Sequence, residues 1–241
     1  MPKLIALDLD GTTLRSDLTI SSFTIETLKK CRENGHYITV ATGRLQQSCA
    51  AFIAQFEHDA AIFGDGTHAQ CGEEVLCNHT IEPHRLSLML DWARTNVQYV
   101  KAATLCTSIG YIPNALATDF VPPTKADIFG ITLTLSDHAQ AAQFVAQFPE
   151  VHSAFYEAWF DFWPVNAGKW PAVQLVAKHL NIPINEIIAF GDNNNDIAML
   201  RHAGTGIAMG NALEKTKAAA KLICDTNDND GVARWLSENI L

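Results

Sequence analysis

Residues 4–14 read Leu4-Ile5-Ala6-Leu7-Asp8-Leu9-Asp10-Gly11-Thr12-Thr13-Leu14. A short apolar run of strand character ends in two carboxylates one residue apart, then a glycine and two hydroxyl side chains. Nothing in that polar end packs, and every group in it costs free energy to desolvate. An Asp-Gly turn closing a strand is the bland reading. Against it, D-x-D-G-T arises by chance only about a few times in a thousand chains of this length at average residue usage. The arrangement makes sense where a buried strand delivers a nucleophile, a proton carrier and a metal site to one point.

The same grammar recurs outward from this stretch. Tyr37-Ile38-Thr39-Val40-Ala41 ends in Thr42-Gly43-Arg44, and Ala60-Ala61-Ile62-Phe63 ends in Gly64-Asp65-Gly66. Far along the chain, Ile187-Ile188-Ala189-Phe190 ends in Gly191-Asp192-Asn193-Asn194-Asn195-Asp196. Helical spacing predicts helices over 22–34, 45–56, 171–180, 197–202 and 213–220, with further strands at 206–209 and 222–224. Continuous apolar strands joined by helical crossovers define an α/β fold, a Rossmann-like doubly wound parallel sheet. In such sheets ligands bind beyond the carboxyl ends of the strands, near the switch in strand order. Asp8, Asp10, Thr42, Asp65, Asp192, Asn195 and Asp196 all follow strands directly, so they are expected on one edge, where helix N-termini also favour anions.

The middle of the chain differs. A helix is predicted over 83–95, strands over 97–102, 131–135 and 151–163, and a helix over 139–148. This reads as an inserted α+β domain over residues 82–164, between core segments 1–81 and 165–241. Its last strand is rich in aromatics: Phe155, Tyr156, Trp159, Phe160, Phe162 and Trp163. Strand alternation puts Glu157, Trp159, Asp161 and Trp163 on one face. The insert's own core plus a wet face is the plainer reading, and a platform for a sugar or ring the sharper one.

Composition narrows the function classes. The 241 residues are 48% hydrophobic and 18% charged, as expected of a globular chain. A net charge of −9 argues against nucleic acid or an anionic membrane as partner. The six cysteines form no C-x-x-C pair, which reads as free thiols in a reducing cytoplasm. The first apolar run is too short for a signal peptide, and no stretch reaches the length of a membrane span. So many carboxylates on one edge would repel without a cation among them. Hard oxygen donors without Cys/His pairing point to magnesium, which shares its coordination with substrate phosphate.

Four stretches together resemble the haloacid dehalogenase superfamily: Asp8-Leu9-Asp10-Gly11-Thr12, Thr42-Gly43-Arg44, Lys169, and Gly191 through Asp196. The run 189–200, continuing through Ala208-Met209-Gly210-Asn211-Ala212 to Asn229-Asp230-Gly231-Val232-Ala233, is similar to its Cof-type phosphatases. The resemblance implies that Asp8 attacks phosphorus and that Asp10 protonates the leaving oxygen and then activates water. It implies Mg2+ held by Asp8, the Asp10 carbonyl and Asp192. Thr42, Gly43, Arg44, Lys169 and Asn195 would bind the phosphate or substrate, with Asp196 orienting them. Arg44 is read equally well as a substrate contact or an ion-pair partner. The insert would be the mobile cap.

There are departures from the family pattern. Gly64-Asp65-Gly66 stands where these phosphatases commonly have Asn-Gly-Ala, adding a negative charge that faces either the leaving group or the hinge. Trp170-Pro171 follows Lys169 in place of a small residue, with Trp170 able to narrow the entrance. The expected activity is a magnesium-dependent phosphatase acting on a small phosphorylated metabolite, a sugar phosphate or a phosphorylated cofactor. A phosphomutase or phosphotransferase using the same intermediate is the alternative within enzymes. A non-catalytic sensor of a phosphorylated metabolite is the alternative outside them.

Overall fold

The computed structural model describes residues 1–156 and 159–241, and of Tyr156 the backbone alone; Glu157 lies outside the described residues. In chain order, β1 (Leu4–Leu7), α1 (Ser22–Glu33), β2 (Tyr37–Ala41), α2 (Gln46–Ile53), β3 (Ala60–Phe63), β4 (His68–Cys71) and β5 (Glu74–Asn78) come first. There follow α3 (Pro83–Thr95), β6 (Val100–Thr107), β7 (Gly110–Ile112), β8 (Ile128–Leu135), α4 (His138–Gln147), β9 (Val151–Tyr156) and β10 (Trp159–Pro164). Then come α5 (Lys169–His179), β11 (Ile187–Gly191), α6 (Ile197–His202), β12 (Thr205–Ala208), α7 (Glu214–Lys217), β13 (Leu222–Ile223) and α8 (Gly231–Asn239). The chain divides into two compact units. One holds Met1–Arg44, Cys49–Cys77 and Gly168–Leu241, the other Leu45–Ser48 and Asn78–Ala167.

The first unit is built on an eight-stranded sheet in the order β13-β12-β11-β1-β2-β3-β4-β5. β1 lies between two parallel neighbours, with Leu7 opposite Val40 of β2 and Phe190 of β11. From β1 the chain moves outward through β2 and β3, then returns to the other side of β1 as β11, β12 and β13. The strand order therefore reverses at β1 and β11, which makes their carboxyl ends the switch point of the sheet. Leu4, Ile5, Leu7, Ile38, Val40, Ile62 and Phe190 are fully buried, because helices cover both faces; this is why these strands read as unbroken apolar runs.

Local signals set the helix ends. The Ser21 side chain caps α1 by accepting from the Thr24 N–H at 3.0 Å, and Lys30 and Arg32 sit in its last turn, where cations suit the helix dipole. The hairpin of β4 and β5, antiparallel to β3 at β4, extends the sheet beyond the strands predicted from apolar runs. Both strands are half exposed and carry no regular alternation, so they leave no clear pattern.

The second unit is a five-stranded antiparallel sheet, β7-β6-β8-β10-β9, with α3 and α4. Asp137 caps α4 through the N–H groups of Ala139 and Gln140. Leu90, Leu105, Ile131, Leu133, Phe144 and Phe162 lie in its core. The predicted strand over 151–163 is a hairpin of two strands, with Phe160 paired to Phe155. Phe160 joins the core, as a mixed core-and-wet assignment expects. Trp159 and Trp163 share a face by alternation, yet Trp159 is 44% exposed and Trp163 buried. Leu45, Cys106, Phe129 and Ala167 cover that end of the face in a separate small cluster. All six cysteines are free thiols, and no helix among the described residues is long and apolar enough to cross a membrane.

Candidate active site

β1 carries the chain directly into the site. The Asp8 N–H still belongs to the sheet, donating to Phe190 O at 3.2 Å. Beyond it the chain winds into a wide turn in which the Leu14 N–H donates to Leu9 O at 2.8 Å and Thr13 Oγ1 to Asp8 O at 2.6 Å. Gly11 makes the reversal with φ +72°, a conformation that a side chain disfavours. A Cβ at Gly11 would also overlap the Asp192 carboxylate. The neighbouring Thr12 Oγ1 donates to Asp192 Oδ1 at 3.3 Å. Asn211 Nδ2 donates to Gly11 O at 2.8 Å and Asn227 Nδ2 to Leu14 O at 2.9 Å, so two asparagines hold the turn.

Lys169 opens α5 and has no side-chain exposure. Its ammonium donates to Asp8 Oδ1 and to Asp196 Oδ1, both at 2.7 Å. The second oxygen of Asp196 accepts the N–H groups of Asp192 and Asn193, each at 3.0 Å. Carboxylate oxygens of Asp8, Asp192 and Asp196 all lie within 4.8 Å of one another. Burial pushes Asp8 well above the usual carboxylate range; Lys169 opposes the shift, while Asp196 and Asp192 add to it. Asp192 is pushed up to about 6 by burial and then by Asp196. For Lys169, burial alone would favour the neutral amine, but Asp196, Asp8 and Asp65 more than offset it and hold the ammonium charged.

One ammonium cannot neutralise three carboxylates. A divalent cation would relieve the surplus, and a buried set of hard oxygen donors with no Cys or His among them fits Mg2+ rather than zinc. Because Asp196 already serves Lys169 and two backbone N–H groups, Asp8 and Asp192 are the side chains left to such an ion.

The other predicted residues form a second group. Thr42, at the end of β2, is fully buried, and its Oγ1 accepts the Arg44 N–H at 3.1 Å. Asp65 is buried in the left-handed backbone region, with φ +52° and its N–H donating to Thr42 O at 3.1 Å. Asn195 Nδ2 donates to Asp65 Oδ1 at 2.7 Å. A Cβ at Gly43 would stand 3.2 Å from that same oxygen, so the glycine makes room for the carboxylate. Asp10, nearly half exposed, pairs with Arg44. Trp170 packs against the sheet core and stacks on His202, ring centroids 5.9 Å apart.

Thus Asp8, Lys169, Asp192 and Asp196 converge, while Thr42, Gly43 and Asn195 gather around Asp65, and Asp10 goes with Arg44. The sequence places Asp65 on this edge and marks it as a departure from the family pattern, but assigns it no role, and it gives no part to Thr12, Asn211 or Asn227. The Thr pair after Asp-Gly was the one available signal for Thr12. For Asn227 there was none, since it meets the turn only through folding.

A family model for haloacid dehalogenase-like hydrolases matches residues 5–236, and the chain belongs to that family. It is a Cof-type member and a phosphoric monoester hydrolase acting on small phosphate substrates. YitU of Bacillus subtilis (strain 168), a 5-amino-6-(5-phospho-D-ribitylamino)uracil phosphatase, is 31% identical, over 98% of this chain and 97% of its own. The pyridoxal phosphate phosphatase YbhA of Escherichia coli (strain K12) is 28% identical, over 99% of both chains. Among solved structures, the phosphatase BT1666 from Bacteroides thetaiotaomicron superposes with a TM-score of 0.88 at 26% identity, covering 99% of this chain and 95% of its own.

Proposed function

We propose that this chain is a Mg2+-dependent phosphatase that moves the phosphoryl group of a small phosphate monoester onto Asp8 and then to water. The observation that carries this reading is the buried Asp8–Lys169–Asp196 ion-pair chain, with Asp192 beside it at the switch point of the sheet. Asp8 attacks phosphorus, and the electron pair of the breaking P–O bond goes to the leaving oxygen, which takes its proton from Asp10. Water then attacks the aspartyl-phosphate, Asp10 takes the proton from it, and the bond between phosphorus and the Asp8 oxygen breaks to restore the carboxylate. Lys169 favours the ionised form of Asp8 against the burial that raises it and offers positive charge to the phosphoryl oxygens, and Asp196 holds that ammonium in place. Thr42, Gly43 and Asn195 receive the phosphate or substrate. Mg2+, held by Asp8, the Asp10 carbonyl and Asp192, supplies charge neutralisation when bound.

The substrate class is a phosphorylated cofactor, its precursor, or a sugar phosphate. YitU and YbhA, each named for a phosphorylated ring compound, support it. We assign residues 82–164 as the inserted cap that selects among such substrates, with residues 1–81 and 165–241 as the catalytic core. Six free thiols fit a reducing cytoplasm. A phosphate-release screen over phosphorylated metabolites, with Mg2+ or with chelator, tests the reading beside Asp8→Asn. Metal-dependent release without added acceptor, lost in Asp8→Asn, is expected. Wild-type turnover in Asp8→Asn would overturn the covalent step, and equal rates in chelator would overturn the metal assignment.

A further inference from the structure

A proton carrier works only if its carboxylate has a defined direction. At Asp10 the backbone does little to provide one. The side chain is 48% exposed, and the chain reverses at Gly11 immediately after it. The direction comes from Arg44, whose Nε donates to Asp10 Oδ2 at 2.7 Å while Nη2 donates to Oδ1 at 2.5 Å. This is the planar fork that a lysine cannot form.

Arg44 is itself firmly held. Its N–H donates to Thr42 Oγ1, and its carbonyl accepts the Gly64 N–H at 2.9 Å. The guanidinium lies over the Phe52 ring, with Cζ 5.0 Å from the centroid. The fork thus stands on the ends of β2 and β3, which also carry Thr42 and Asp65. Each carboxylate oxygen keeps further lone-pair capacity, so the fork fixes the direction of Asp10 without exhausting it.

We propose that Arg44 is a positioning residue for Asp10, holding the proton carrier in line with the leaving oxygen. This rests on the reading of Asp10 as proton carrier given above. Its distinguishing consequence is a dependence on the leaving group. A phenolate that leaves readily without a proton needs little from Asp10, whereas a more basic one needs the proton. A residue that only binds substrate, or only supports the fold, affects both equally.

The test compares kcat/KM, which reports the step that breaks the ester bond, for p-nitrophenyl and p-methoxyphenyl phosphate, two esters of similar size. Arg44→Met should lower kcat/KM for the p-methoxyphenyl ester at least about tenfold more than for the p-nitrophenyl ester, within the range general acid catalysis supplies. Arg44→Lys keeps the charge and loses the fork, so it should show the same bias in smaller measure. It also serves if the Met variant fails to fold. Asp10→Asn is measured alongside. Bias in Asp10→Asn with equal losses in both Arg44 variants would overturn the proposal and leave the proton-carrier reading standing. No bias in Asp10→Asn would overturn that reading and the proposal with it.

Discussion

Replacing Lys169 by Met removes the one ammonium shared by Asp8 and Asp196, and the structure fixes how large the effect should be. The lysine side chain has no exposure, its two partners are 7% and 0% exposed, and both bonds are 2.7 Å. Breaking a buried ion pair from one side costs about 3–5 kcal/mol. A second limit comes from protonation. An unpaired buried acid can take up a proton at pH 7, about three units above its unfolded pKa, at about 1.4 kcal/mol per unit, or roughly 4 kcal/mol. Protonation therefore caps the loss at about 4 kcal/mol, less the part of the shift that Asp8 already carries beside Lys169, and a loss of about 3–4 kcal/mol in a chain of this size lowers Tm by roughly 6–16 °C.

The sign of the pH dependence follows. Asp8 already lies well above the carboxylate range with Lys169 present, and losing the lysine raises it further. A group raised in the folded state destabilises more as pH rises above its unfolded value, so the gap to wild type should narrow as pH falls from 8 towards 5. Thermal unfolding of both proteins in chelator at pH 8 and pH 5.5 measures it. A variant within about 1 kcal/mol of wild type at pH 8, or a gap that widens in acid, would rule out the shared ion pair as the source of this stability.

Three further outcomes are expected. Gly11→Ala forces a side chain into φ +72° and into the Asp192 carboxylate, so the Mg2+ concentration for half-maximal phosphate release should rise at least about tenfold, a cost of 1.4 kcal/mol or more. Asp230 accepts a two-point bond from Arg15, at 3.1 and 2.7 Å, and, against a burial effect that acts to raise it, the hydrogen bonds from Arg15 and Ser21 hold it below the carboxylate range. That stability is present above the unfolded pKa and lost as pH falls through the folded one. Asp230→Asn should therefore lower urea stability by about 1 kcal/mol at pH 7 and by less near pH 3. Burial pushes the Cys31 and Cys49 thiols up to about 11, and Cys106 and Cys224 up to about 12. A disulfide thiol reagent at pH 8 should find at most the partly exposed Cys71 and Cys77 reacting quickly in native protein, and six thiols in denaturant.

The parts of the fold that announce themselves in the sequence are those buried on both faces. β1, β2, β3 and β11 read as apolar runs because helices cover them twice over, and α3 is legible from Pro83 onward. Where burial is one-sided or partial, the pattern fades. β4 and β5 at the sheet edge leave no signal. β9 and β10 merge into one aromatic run. The helix α8 is not among the predicted helices; it begins after Asp230, which is left-handed and makes no side-chain cap. In the site, Asp8, Asp192 and Asp196 are legible because each follows a strand end, whereas Lys169 is legible only through the family resemblance. The Asp10–Arg44 and Asn195–Asp65 pairings are not, since they depend on side-chain direction and on one left-handed residue, Asp65.

Every step of the proposed hydrolysis depends on Asp8 carrying the phosphoryl group. Borohydride quench during turnover of p-nitrophenyl phosphate with Mg2+ reduces an aspartyl-phosphate to homoserine, and peptide mass spectrometry locates the change. The account predicts homoserine at position 8, dependent on substrate and absent from Asp8→Asn. Reduction at any other carboxylate, or turnover with no reduced residue while a second quench confirms that an acyl phosphate would survive long enough to be trapped, would contradict it.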